Sequence, residues 1–256
     1  MKNFMVFSDA QQVIGRRWSD GQSQEQARIL GLARDALTFI SATGQWYSFM
    51  DFREGHEVRS STVTREECAP EPRELLSKTE SFFKELLDDP TSAGEQEGIH
   101  AVLDALRFIS ATCQYDSLAE FIQRDESHAP PMVVAAFETS AQAETWLRTH
   151  PSPPVSADIL IGDRYHHVAY DRETNLRRLP WNQDLERYLG WLEMKDPPVA
   201  SASFATREEA QAWLRAQSHP PLRTWVLIAG EFHLAVYHPN VNHRALYPLS
   251  MALRDA

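Results

Sequence analysis

The chain has 256 residues, 43 % hydrophobic and 24 % charged, the proportions of a folded protein that can bury a core. Its formal net charge is −11, and no apolar run approaches the ~20 residues that span a bilayer. Residues 1–129 hold 22 acids against 13 bases, and 130–256 hold 14 against 12. That acidic first half excludes the basic footprint of a nucleic-acid binder and suits a basic protein partner.

In chain order, Phe4–Phe7 is too short for the apolar region of a signal peptide and runs at once into Asp9, so a cytoplasmic location is expected. Cys68 and Cys113 form no metal-type cluster and read as free thiols. Residues 1–124 read as a duplicated all-helical domain of five or six helices. Asp35–Gln45 (DALTFISATGQ) is answered by Asp104–Gln114 (DALRFISATCQ), 69 residues on, and Ser48 and Phe52 by Ser117 and Phe121. Ile29, Leu30, Ala33, Leu37 and Ile40 share one helical face, as do Val102, Leu103, Leu106 and Ile109. Between them, Pro70 and Pro72 open a further amphipathic helix, which Asp89-Pro90 closes. Glu66, Glu67, Glu71 and Glu74 cluster at its start and are candidate contacts for a basic partner, the alternative being a solvated acidic face. The polar stretch Gln123–Pro131 is the domain boundary.

From 130 to 256 a second duplication runs without a gap at an offset of 67. Pro130-Pro131, Phe137, Thr139, Trp146-Leu147-Arg148 and Pro153-Pro154 recur as Pro197-Pro198, Phe204, Thr206, Trp213-Leu214-Arg215 and Pro220-Pro221. About a third of some 50 aligned positions are identical. Each unit, 130–180 and 197–247, reads as β-α-β-β, with a helix over 182–194 joining them. Thr139 is placed to cap its helix, the following prolines end it, and Gly162-Asp163 and Ala229-Gly230 mark hairpin turns. The fold class is therefore α+β: a helical bundle, then two tandem β-α-β-β repeats forming antiparallel-rich sheets with helices on one face. The run Phe204–Leu214 (FATREEAQAWL) resembles the strand-to-helix entry of small β-α-β modules, peptidoglycan-binding SPOR domains among them. That resemblance spans about a dozen residues and implies a strand passing into a helix. SPOR domains act outside the cytoplasm, so their function is not carried over.

The polar side chains retained in both repeats are the strongest candidates for a site: His166 and His233, Tyr170 and Tyr237, Asn175 and Asn242, Arg177 and Arg244. Strand alternation puts Phe232, Leu234 and Val236 on an apolar face, expected under the helix, and His233, Ala235 and Tyr237 on the opposite, open one. Such a face reads as a binding surface for a protein, as a hydrolytic platform acting on RNA through the histidines, or as a turn that both copies need. His233, His238 and His243 fit no standard ligand spacing, so no metal is expected. No GxSxG, HExxH or phosphate-cradling glycine loop occurs, so no cofactor and no defined catalytic residue is expected. The composite expectation is a non-enzymatic protein-binding module, of the kind that inhibits a bacterial toxin as an immunity protein does; the alternative is the hydrolase.

Overall fold

A computed structural model describes residues 2–19, 23–56, 70–88 and 93–253 and shows an α+β protein with an N-terminal helical region. Contacts divide the chain into two compact units: 1–41 with 45–127, and 42–44 with 128–256. The first contains α1 (Lys2–Ser19), α2 (Gln24–Ala42), α3 (Trp46–Arg53), α4 (Pro70–Asp88), α5 (Ala93–Ala111) and α6 (Tyr115–Glu126). The second contains α7 (Ser140–Thr149), α8 (Asp184–Lys195), α9 (Arg207–Ala216) and the strands β1 to β9.

The helical duplication extends over the whole unit. Shifting α1 and α2 by 69 residues lands on α4 and α5, and α3 and α6 begin 69 apart. Buried Ala10 and Ile14 correspond to buried Thr79 and Phe83, so the two flanking helices share a stripe although the residues differ. At the ends of α2 and α5, Gly44 and Cys113 both take the left-handed conformation (φ 71° and 55°). Behind them the Gln45 and Gln114 amides reach back to the carbonyls of Ile40 and Ile109, closing each helix end. The two copies then meet through equivalent residues. Gln45 and Gln114 exchange amide hydrogen bonds, Nε2 to Oε1, at 2.9 and 2.6 Å. The ring pairs Phe39–Phe121 and Phe52–Phe108 lie at 5.7 and 5.6 Å. Reciprocity of this kind is the signature of a two-fold arrangement, here within one chain.

In the α+β unit, the first repeat comprises β1 (Val133–Phe137), α7, β2 (Asp158–Ile161), β3 (Arg164–His167), β4 (Ala169–Asp171) and β5 (Leu176–Arg178). The second comprises β6 (Ala202–Phe204), α9, β7 (Arg223–Ile228), β8 (Glu231–His238) and β9 (His243–Pro248). The first strand pairs parallel with the second, as a helical crossover requires, and the rest of each ladder is antiparallel. The second repeat is a continuous sheet in the order β6-β7-β8-β9. In the first, β1-β2-β3 and the β4–β5 hairpin are separate sheets, with Val168 between β3 and β4. Pro180 stands where Tyr247 extends β9, and proline has no N–H to give a ladder. Past β5 the first repeat keeps a single bridge, His166 to Trp181.

Thr139 and Thr206 cap α7 and α9, each accepting from the amide three residues on at 3.3 and 3.2 Å. The helices then pack through matching residues. Ala143 and Leu147 meet Ile159 and Val168, while Ala210 and Leu214 meet Val226 and Ala235. The face under α9 is therefore that of Ala235, a correction to the expectation that placed Leu234 and Val236 there. Those two, with Trp225 and Tyr247, bury instead against Val133, Leu160 and Tyr165 of the first repeat and Leu185, Leu189 and Leu192 of α8. Both faces of the second sheet are covered, and apolarity alone does not say which neighbour covers which.

Candidate functional site

The repeated polar residues sit on the helix-covered faces and are engaged within the chain. His166 pairs across the ladder with Ile159 and His233 with Val226, both core residues under the helices. Their Nδ1 atoms lie 3.0 Å from the carbonyl of Leu179 and 3.1 Å from that of Glu231. His233 is 7 % exposed. The face expected to be open is thus a wall of each repeat's own small core.

The Tyr–Asn–Arg set builds a turn. Asn175 and Asn242 adopt left-handed φ values of 51° and 48°, which asparagine tolerates better than most residues. Each Asn Oδ1 accepts from the arginine two residues on: Arg177 Nε at 2.9 Å and Arg244 Nη1 at 3.2 Å. The guanidinium groups lie over Tyr170 and Tyr237, 5.2 and 4.7 Å from the ring centroids. Arg177 does more. Its Nη1 donates to the carbonyls of Leu147, Arg148 and His150 at 2.6, 3.0 and 2.8 Å, closing the C-terminus of α7. The helical partner of the Leu147 carbonyl would be the amide of residue 151, which is proline and has none. Ser218, at the matching place in the second repeat, keeps its N–H.

A polar cluster occurs in the first repeat alone. Asp158 Oδ1 is 3.2 Å from His167 Nδ1 and accepts from Asn182 Nδ2 at 2.7 Å. The hydrogen bond to Asp158 raises the His167 pKa, with burial opposing it. Trp225 and Leu234 occupy the corresponding places in the second repeat, inside the core. His238 is fully buried with Nε2 3.3 Å from Tyr165 Oη, and His243 lies 3.2 Å from Asp163. Among the described residues no group of three or more His, Cys, Asp or Glu is placed to hold a metal ion. Cys113 is a free thiol at the end of α5, and Cys68 lies outside the described residues.

The helical unit contains an open cleft of about 810 Å³ between α2, α4 and α6. Leu32, Leu75, Leu76, Leu118 and Ile122 line it with apolar side chains, and its charged lining is five carboxylates (Glu25, Asp35, Glu74, Asp125, Glu126) and three cations (Arg28, Arg34, Lys78). Two of the cations already pair on the rim, Lys78 with Glu74 at 2.9 Å and Arg34 with Asp35 at 2.7 Å. Burial raises the Asp35 pKa; the Arg34 bond pulls it back, and the charges of Asp125 and Glu126 push the same way as burial. Of the acidic candidates read from the sequence, Glu74 lines this cleft, whereas Glu66, Glu67 and the side chain of Glu71 lie outside the described residues.

The two copies of the duplication pack differently. α1 lies along α5, so close at Gly98 that a Cβ there would stand 2.7 Å from the Asp9 carbonyl oxygen. On α2 that position is Ile29, and among the described residues α4 makes no comparable packing along α2. Around α5 the space is filled by Phe7, Trp46 and Phe49, with ring centroids 4.6 to 6.2 Å apart. The corresponding residues around α2 are Leu76, Tyr115 and Leu118, which line the cleft.

The fold is that of an α+β protein with an N-terminal helical region. No protein-family model, curated protein or solved structure matches the chain. Among the described residues no helix is long and apolar enough to cross a membrane.

Proposed function

We propose that this chain is a non-enzymatic protein-binding module acting in the cytoplasm, of the kind that neutralises a toxin as an immunity protein does, and that its partner is basic. The observation that carries the reading is the cleft between α2, α4 and α6, with an apolar lining and a rim on which carboxylates outnumber cations. Apolar anchors supply affinity in such grooves, while a charged rim steers encounter and rejects wrong partners. The net charge of the first half, 22 acids against 13 bases, supports it. So does the engagement of both repeated histidines with backbone carbonyls, which pairs neither ring with a nucleophile.

The test is affinity purification of the tagged chain from its native cell, followed by mass spectrometry, beside the variant Gly31→Trp. Gly31 lines the cleft, and a Cβ there meets no atom within 4 Å, so the indole enters the cleft without a backbone clash. Replacing a helical glycine also favours the helix by up to ~1 kcal/mol. The expected result is a saturable basic partner on the wild type that Gly31→Trp loses at an undiminished melting temperature. No saturable partner overturns the reading, as does an RNA-cleaving activity that His166→Ala with His233→Ala abolishes in a folded protein.

A further inference from the structure

Asp35 and Asp104 are the same residue of the helical duplication, on α2 and α5, and they differ in what lies across from them. Asp104 receives Arg53 from α3, Nε to Oδ2 at 3.0 Å, and the same guanidinium reaches Glu97 at 2.9 Å. Burial disfavours the charge on Arg53, but the hydrogen bonds to Glu97 and Asp104 outweigh it and hold the guanidinium above its usual pKa. Arg53 corresponds to Ile122 on α6, so the residue that pairs with Asp104 in one copy is apolar in the other. Both hydrogen bonds that Asp35 accepts come from its neighbour Arg34 and fall on Oδ1; Oδ2 accepts none among the described residues. The protein therefore contains a finished and an unfinished form of one arrangement. The finished one holds bulky aromatic side chains and an arginine on the aspartate. The unfinished one holds the cleft.

We infer that the cleft receives an amphipathic helix of the protein partner, with a bulky apolar side chain on the partly exposed surface of Leu75, Ala119 and Ile122 and an arginine docked on Asp35. This rests on the protein-binding reading above and specifies the partner's chemistry. The lining stretch Glu25–Asp35 of α2 is ~15 Å long at 1.5 Å per residue, the length of a helical face of about three turns. A groove between helices admits such a face through anchors spaced i, i+3, i+4 and i+7. The charge balance selects its flanks. With Lys78 and Arg34 paired on Glu74 and Asp35, the rim still carries Glu25, Asp125 and Glu126 against Arg28 alone. Arginine fits better than lysine at Asp35, because a planar fork can bond Oδ2 while Arg34 keeps Oδ1.

The probe is a phage-displayed library of amphipathic helices about four turns long, its apolar stripe and flanking positions randomised, selected on the full-length protein. The expected outcome is enrichment of one arginine beside an aromatic or leucine anchor, and at least about tenfold tighter binding of the selected peptide than of its Arg→Gln counterpart. That preference collapses in Asp35→Asn, whose melting temperature is no lower than wild type, and also in Ile122→Arg, where the introduced guanidinium reaches Asp35 from within. Asp104→Asn, the change at the finished copy, lowers the melting temperature and leaves the preference intact. Failure to enrich any helix, enrichment of acidic flanks, or an arginine preference that survives Asp35→Asn overturns the inference. If cell extracts still yield a saturable partner that Gly31→Trp retains, the binding reading stands and this site for it falls.

Discussion

Arg177 and Arg244 occupy the same place in the two repeats, yet their replacement by methionine, which keeps the apolar stem, is expected to have unequal consequences. Both changes remove a guanidinium from over a tyrosine, worth about 0.5–1 kcal/mol at a partly exposed site. Arg177→Met also uncaps α7. Its Nη1 carries two hydrogens for the three carbonyls of Leu147, Arg148 and His150, so two charge-assisted bonds are the realistic count. Such bonds are worth about 1.5–3 kcal/mol each when fully buried and less here, and the helix terminus adds a few tenths. The expected losses are about 3 kcal/mol for Arg177→Met and about 1 kcal/mol for Arg244→Met. Urea denaturation followed by tryptophan fluorescence reads this, since Trp146, Trp181, Trp191, Trp213 and Trp225 all belong to the α+β unit. Equal losses would refute the capping argument built on Pro151. Negligible losses in both would return the arginines to the pool of partner-binding residues.

Gly190→Ala should dislodge the last turn, because its Cβ would overlap the Leu253 carbonyl oxygen, a backbone atom rather than the end of a flexible side chain. A loss of about 1–3 kcal/mol is expected, with faster proteolysis after residue 248; unchanged proteolysis would show that α8 and Leu253 do not meet as described. The raised His167 pKa adds stability that is fully present below the unfolded value of 6.5 and lost as pH rises through the folded one. Asp158→Asn should therefore destabilise most near pH 5 and progressively less above neutrality, as thermal melts across pH would show; a pH-independent effect would contradict the pairing. Between Gln45 and Gln114, a double-mutant cycle with alanine should give a coupling near 1 kcal/mol, and none would mean that the reciprocal amide pair is not formed in solution.

Local signals carried the α+β half far. Thr139 and Thr206 cap helices because a hydroxyl three residues before an orphan amide can satisfy it, and Gly162 and Gly230 turn hairpins because their φ is positive. Strand alternation does not say what covers each face of the second sheet, because Leu234 and Val236 owe their burial to Val133, Leu160 and Tyr165, some 70 or more residues earlier in the chain. Nothing local in the sequence marks the cleft, although Glu74 lines it. A sharper signal lay in the duplication: Asp35 and Asp104 agree, whereas Arg53 against Ile122 and Gly98 against Ile29 do not. An aspartate retained where its cation is not marks a place at which the copies have parted.

By itself the sequence determined that two different units are each doubled, where most helices and turns lie, and that the negative charge belongs to the helical half. Those are local or additive properties, set by periodicity, capping and the count of ionised groups. Tertiary structure decided which retained residues are structural and which divergent ones open a cleft. Arg177 is a helix cap only because Leu147 folds back beside it, and Asp35 borders a cleft with Ile122 where Asp104 has Arg53. Both depend on what stands across from a side chain, and the packing of distant segments sets that.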